Sequence, residues 1–328
     1  MTTVLVTGAA GFLGRTLVHE LVDSGYDVRA LVRQPPSLAF PPAVHMVIGD
    51  MRDSRCAQRA TIGCVTVIHL AGLAHALDDA QVRDQDYHSV NVDGTKCLVD
   101  GAVTSGVQRF IFASSVKVFG ETTVGCVDEE AAPAPQSPYA RSKWKSEQLL
   151  LSYAKEGRLG TLSLRLPLVY GPTAKGNLYR MIVAIDRGRF PPLPRVHTVR
   201  SMLHVRNFVS AVRSLMQSTR FQRPMYVVTD ARPYGVTEIY DLLRTGLGLP
   251  PPRVRVPTWV FALGARCGDL LQAVSSKKVR FSSAIFEKLM GQACYSGKAL
   301  REEIGYRPCH TFEAAIPDLI QHYRRQQP

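Results

Sequence analysis

The 328-residue sequence predicts an α/β fold: a doubly wound parallel sheet with a smaller C-terminal region interleaved with it. Three observations carry that prediction. Short β-rich runs alternate with helical patterns through the first half of the chain. The runs are continuously apolar rather than alternating, as strands covered on both faces are. A glycine-rich turn joins the first strand to the first helix.

Val4 to Thr7 reads as a short strand ending in the glycine turn, and Thr16 to Ser24 as a helix with Leu17, Val18, Leu21 and Val22 on one face. Further strands are expected at Val28–Val32, Val44–Ile48, Val65–Ala71 and Arg109–Ser115, with a helix around Val92–Thr104 before the last of them. After about residue 172 the texture changes. Pro191-Pro192-Leu193-Pro194 and Pro250-Pro251-Pro252 punctuate helices, loops and isolated strands such as Met225–Val228. The domain reading is a dinucleotide-binding unit of residues 1–171 and about 200–229, and a substrate-facing unit of about 172–199 and 230–328. The last helical pattern, Phe312 to Tyr323, contains Pro317, which should kink the helix or mark a later start.

Composition narrows the function classes. Hydrophobic residues are 45% and charged residues 20%, which excludes global disorder and fibrous architectures. A net charge of +13 calls for anionic partners: phosphorylated small molecules, nucleic acid or acidic lipid. No basic-aromatic interleaving supports nucleic acid. The seven cysteines are odd in number, scattered and without a CxxC pair, which argues against a disulfide framework and a zinc site; His88, His197 and His204 lack metal-ligand spacing. The first residues do not read as a signal peptide, so a cytoplasmic enzyme is expected. The longest apolar approach, Trp259 to Leu271, is broken by Arg266 and Asp269. It reads as an amphipathic helix on a globular body, with peripheral membrane contact as the alternative.

Chemistry concentrates in three places. Gly8-Ala9-Ala10-Gly11-Phe12-Leu13-Gly14 comes after a strand and opens a helix, so its backbone can approach a pyrophosphate at a helix N-terminus. The second strand ends Leu31-Val32-Arg33, where a carboxylate would favour NAD. Arg33 could instead pair with a 2′-phosphate, which favours NADP(H) and leaves NAD(H) open. Asp50, next to Met51, is placed to meet an adenine amine.

Tyr139 and Lys143 stand four apart on one helix face. A tyrosine of unperturbed pKa about 10 is a poor base at neutral pH. Bringing it to neutrality takes roughly 3 units, or about 4 kcal/mol. A lysine cation ~4 Å away at an effective dielectric of ~20 is worth about that much. Ser114 and Ser115 end a strand, where a hydroxyl can reach a ligand beyond the sheet's carboxyl edge. His69 lies inside a strand and reads as a satisfied core histidine, while His75 stands where a pocket should open.

Together these motifs identify the chain as similar to the extended short-chain dehydrogenase/reductase family, the nucleotide-sugar epimerase/dehydratase group, over nearly its whole length. The marks are Thr7 to Gly14, His69-Leu70-Ala71-Gly72, Asn91-Val92-Asp93-Gly94-Thr95, Ser114-Ser115, Ser137 to Lys143, and Arg165 through Pro172. The resemblance implies a Rossmann-like fold and a triad of Ser115, Tyr139 and Lys143. It implies a cofactor path along Gly8, Gly11, Phe12, Leu13, Gly14, Leu70, Ala71, Gly72, Asn91 and Ser114, with Leu168 and Val169 near the nicotinamide. It further implies diphosphate contacts from Asn177 and Arg200, and a homodimer. His75 and Lys117 are candidate sugar contacts.

The two residues after Ser115 narrow the reaction. The dehydratase branch carries Asp-Glu there, and this chain has Val116-Lys117. Ser114 to Glu121 resembles the SSIKVNGE segment of bacterial 4-keto-6-deoxy-sugar-nucleotide reductases of the UDP-N-acetylquinovosamine type, which serve surface polysaccharide such as O-antigen. Phe119 replaces that segment's asparagine. The leading expectation is therefore an NADP(H)-dependent reductase acting at C4 of a UDP-sugar. A UDP-hexose 4-epimerase with tightly bound NAD is the alternative, and a non-catalytic NADP-binding sensor is a distant one.

Overall fold

The computed structural model describes residues 2–74, 83–174, 176–218, 221–274 and 283–327. One sheet holds seven strands: β1 (Thr3–Thr7), β2 (Asp27–Val32), β3 (Val44–Ile48), β4 (Thr66–His69), β5 (Arg109–Ser115), β6 (Gly160–Leu166) and β7 (Met225–Val227). Their order is β7-β6-β5-β4-β1-β2-β3, and every neighbouring pair is parallel. The chain winds one way from β1 to β3 and the other way from β4 to β7. The reversal falls between β1 and β4, where a doubly wound sheet opens a crevice at its carboxyl edge.

Apolar runs suit the inner strands of this sheet because both their faces are covered, whereas the edge strand β3 leaves Met46 and Ile48 exposed. Val4 and Val6 of β1 join one core with Leu17, Val18 and Leu21 of α1 (Phe12–Asp23). Phe208, Val212 and Leu215, from the helix Val205–Gln217, complete that layer. Leu5 points the other way. It meets Ala57 of α2 (Ser54–Thr61), Leu98 of α3 (Gly94–Thr104) and Leu150 of α4 (Pro138–Lys155). A second core lies in the C-terminal part, built from Tyr170, Ile182, Met202, Tyr240, Phe261, Phe312 and Leu319. Asp230 stitches the two parts together: it accepts from Tyr170 Oη at 2.8 Å, His204 N at 2.8 Å and Asn207 Nδ2 at 2.7 Å.

Three local expectations change. α1 begins at Phe12 rather than Thr16, because Gly14 is the one buried position of its first turn and no periodicity announces that turn. The last helix runs Phe312–Arg325, so Pro317 does not delay its start. Thr311 caps it, and Pro317 lies on the exposed face, where water can reach the carbonyl left without an N–H. Cys126 and Cys294 form a disulfide, with Cα atoms 4.4 Å apart. Their separation of 168 residues hides the pair from any reading of local spacing. It joins the two-residue strands Cys126–Val127 and Cys294–Tyr295, leaving five free cysteines.

A candidate active site at the switch point of the sheet

The glycine turn is fitted to its surroundings. Gly8 has φ +65°, and a Cβ there would lie 2.7 Å from Ala71 N. A Cβ on Gly14 would collide with the carbonyl oxygen of Gly8. Gly11 precedes α1 without a capping side chain, so the helix's first amides are offered to a ligand. A cleft of about 700 Å³ opens here, lined by Gly8, Gly11, Arg33, Asp50, Met51, Leu70, Ala71 and Gly72. Its size, its uncapped helix end and the absence of side chains at Gly8 and Gly11 fit a nicotinamide dinucleotide with the pyrophosphate at the turn. Phe12 and Leu13 form the first turn of α1 and are outside that lining; the Phe12 ring packs beside Gly171.

The far end of the cleft is cationic. Arg33 is exposed there, and Asp50 is gripped by Arg52 through its backbone N at 2.9 Å and its guanidinium at 2.6 Å. Arg52 holds the Asp50 carboxyl below its usual range. Asp50 would therefore have to share its oxygens to meet an adenine amine. Arg52 lines the cleft and was missed by sequence reasoning, since no motif singles it out.

Asn91 acts through the backbone. Its Oδ1 accepts from Leu73 N at 2.7 Å, and its Nδ2 donates to Leu73 O at 3.0 Å and Ser142 Oγ at 2.9 Å. This shapes the cleft wall after Gly72. Asn91 reaches both because it sits in a wide turn, His88–Asp93, with i→i+5 geometry ahead of α3.

Ser115, Tyr139 and Lys143 converge where β5 meets α4. The Ser115 hydroxyl faces the Tyr139 phenol and favours its ionised form. Lys143 donates to Ala113 O at 2.8 Å, and its Nζ lies 6.0 Å from the centre of the Tyr139 ring. The expected depression of the phenol is not what this geometry gives. Burial pushes Tyr139 above its ordinary pKa, and the Ser115 hydrogen bond pulls it back only in part. The lysine ammonium is aimed at a carbonyl, and burial lowers its own pKa to about 8 against the pull of Glu147. His69 is fully buried, bonded to Thr7 Oγ1 at 2.7 Å and Thr95 Oγ1 at 2.9 Å.

Ser114 faces away from this group. Neighbouring residues on a strand point to opposite sides, and the Ser114 hydroxyl donates to Glu147. Its hydroxyl is thus turned from the cofactor path that sequence reasoning assigned to it. Glu147 is itself paired with Arg165 at 2.7 Å, both buried. These two residues back the lysine and were not predicted, although Tyr139, Lys143 and Glu147 share one i, i+4 series that could have shown it.

The sugar side is more dispersed. Asn177 is exposed at the first turn of the helix Asn177–Asp186, whose N-terminus has no side-chain cap. Arg200 is largely buried and donates to Gly291 O at 3.1 Å. Lys117 is ion-paired with Glu121. Leu168 and Val169 form a short strand beyond β6, beside Met202–His204. His75 lies outside the described residues.

A model of the "NAD dependent epimerase/dehydratase family" matches residues 4–228. The chain belongs to that family. It is an enzyme of the extended short-chain dehydrogenase/reductase type, with the Rossmann-like sheet described above. It is 28% identical to a UDP-glucose 4-epimerase of Vibrio cholerae, over 97% of this chain and 94% of that one. It is also 28% identical to the N-acetyl-alpha-D-glucosaminyl-diphospho-ditrans,octacis-undecaprenol 4-epimerase of Escherichia coli O157:H7, again over 97% and 94%. Among solved structures, MoeE5 in complex with UDP-glucuronic acid and NAD matches with a TM-score of 0.77 and 25% identity, covering 99% of this chain and all of that one.

Proposed function

We propose that this family member inverts the configuration at C4 of a UDP-sugar with NAD(H) held across the glycine turn. The observation that carries the reading is the convergence of Ser115, Tyr139 and Lys143 at the end of β5, with the Lys143 ammonium held on Ala113 O at 2.8 Å and 6.0 Å from the centre of the Tyr139 ring. Two 4-epimerases matched over nearly the whole chain support this reaction over reduction, and a neighbour holding NAD supports that cofactor.

A bound nicotinamide would supply the oxidation and re-reduction at C4. Tyr139 takes the proton from the sugar O4 and returns it when the alcohol re-forms. Ser115 holds O4 in line with the phenol. Lys143 keeps its ammonium on the Ala113 carbonyl, with Nζ 6.0 Å from the centre of the Tyr139 ring. The uncapped helix end at Asn177 and the guanidinium of Arg200 would take the diphosphate.

Reduction of a UDP-4-keto-6-deoxy-sugar with NADPH is the second reading. It is favoured by Arg33 at the end of β2 in place of a carboxylate. One experiment separates the two. Purified protein is incubated with UDP-glucose or UDP-N-acetylglucosamine without added cofactor, and the C4 epimer is read by anion-exchange chromatography. Epimer formation, with NAD released on denaturation, is the expected result. No epimer, with one NADPH consumed per UDP-4-keto-6-deoxy-N-acetylhexosamine, replaces it with the reductase.

A further inference from the structure

The helix Thr258–Val274 is apolar on the wrong side as well as the right one. Phe261, Ala265 and Gly268 are buried, and Phe261 joins the C-terminal core beside Phe286. That is the stripe a packed helix needs. The opposite stripe should be polar. Instead it presents Trp259 at 68% exposure and Leu263 at 55%, one turn apart, with Arg266 beyond them. Val254, just before the helix, is 77% exposed. These are among the most exposed large apolar side chains described, and they lie close together in the sequence.

Charge surrounds them. A groove of about 480 Å³ at the start of this helix is lined by Pro194, Arg195, Pro252, Arg253 and Arg255. Arg255 is spent on Asp241 at 2.7 Å and on Leu193 O at 3.1 Å. Arg195, Arg253 and Arg266 are exposed. Asp269 is exposed on the flank of the same helix and accepts from Ser283 N at 3.0 Å. The helix thus carries an exposed tryptophan and leucine, with Arg195 and Arg253 lining the groove at its start and Arg266 further along the same stripe, on a chain of net charge +13.

We propose that this face docks on an anionic membrane surface, with Trp259 and Leu263 entering the headgroup boundary and Arg195, Arg253 and Arg266 meeting lipid phosphates. Charge complementarity selects this occupant. A second copy of the chain, related by a two-fold axis, would bring the same arginines face to face. An anionic bilayer satisfies the apolar stripe and the cations together. The inference is independent of the reaction proposed above, since none of these residues lies in the catalytic group.

The test is co-sedimentation of the full chain with vesicles of phosphatidylcholine alone, or with about 30% phosphatidylglycerol added. Binding is expected only to the anionic vesicles, with release at about 0.5 M salt. Trp259 emission should shift to the blue on binding, a change missing in Trp259→Phe. Replacing Trp259 by Ser and Leu263 by Glu should lower partitioning at least about ten-fold. Arg195→Ser and Arg253→Ser should each lower it about five-fold. Circular dichroism and turnover on soluble substrate should be unchanged in all five variants. Absence of binding to either vesicle overturns the proposal, as does binding that these substitutions leave intact. A concentration-dependent dimer, abolished by Leu263→Glu without lipid, replaces the membrane with a second copy.

Discussion

In the sheet-bearing part of the molecule, Gly8 and Ser115 lie at the ends of strands, and Tyr139 opens a helix packed beside them. In the C-terminal part and the segments it recruits, Arg200 is held by a carbonyl 91 residues away, and Cys294 draws in Cys126 from across 168 residues. The first region places its chemistry by local periodicity: a strand ends, the chain turns, and a helix starts. The second places it by pairings between short segments, none longer than three residues in its strands. A parallel sheet therefore positions the candidate catalytic group, and pairings between short segments position the rest of the proposed site.

The largest effect should fall on the first region. Tyr139→Phe keeps the ring packed beside Tyr87 at 6.1 Å but removes the hydroxyl that faces Ser115. Turnover should drop by about 10³-fold, the upper part of the range for a lost acid-base group. Dinucleotide affinity, measured by fluorescence titration, should stay within about two-fold, because the cleft around Gly8 and Gly11 is untouched. Turnover near that of the parent chain would remove Tyr139 from the mechanism.

The next perturbation belongs to the second region. Cys126→Ser, or full reduction, opens a link closing a long loop, and should cost about 2–5 kcal/mol in urea unfolding. Denatured, unreduced protein should expose five thiols, against seven after reduction. Nucleotide-sugar affinity should fall more than dinucleotide affinity, since the strand ending in Tyr295 lies beside Ser201 and Arg200. Equal losses at both sites would mean that the two regions are not separable in this way.

A smaller effect probes the core beneath the glycine turn. His69 is held at a pKa of about 3 by burial, with Lys143 adding to the depression, against an ordinary value of 6.5. The unfolded chain takes up a proton between those values and the folded chain does not. Stability is therefore lost as pH falls from 6.5 toward 3, by at most ~1.4 kcal/mol per pH unit. His69→Gln cannot titrate, so its stability in urea should depend less steeply on pH across that window. An unchanged slope would assign the acid sensitivity to other groups.

How much could be read in advance divides along the same line. The strands Val44–Ile48 and Arg109–Ser115 match their expected bounds, because both are apolar runs bounded by turn residues, although only the second is buried and the first is a half-exposed edge strand. Glu147 and Arg165 escaped because a buried ion pair behind a lysine leaves no periodic trace beyond one i, i+4 step. The wide turn holding Asn91 escaped because its i→i+5 pairing has no composition signal. The disulfide escaped because its partners are joined by the fold of the second region and by nothing in the spacing of cysteines. Tyr139 shows the opposite failure. The lysine was legible four residues on, but its direction was not: the Ala113 carbonyl takes the ammonium, and burial then governs the phenol.

The smallest predicted effect bears on the cofactor. Arg33 is exposed at the end of β2, and Arg52 beside it is already committed to Asp50. Arg33 is thus the more available guanidinium for a 2′-phosphate, in a solvent-screened place where such a pair contributes little. Arg33→Ala should lower NADP affinity by about ten-fold or less and leave NAD affinity unchanged, read by paired titrations at one ionic strength. A selective loss would show that NADP is gripped at the ribose, as the second reading requires. Equal losses would place Arg33 on the pyrophosphate or adenine common to both cofactors. If both affinities hold, the cationic end of the cleft takes no part in choosing the cofactor, and the first region binds its dinucleotide through the glycine turn and helix end alone.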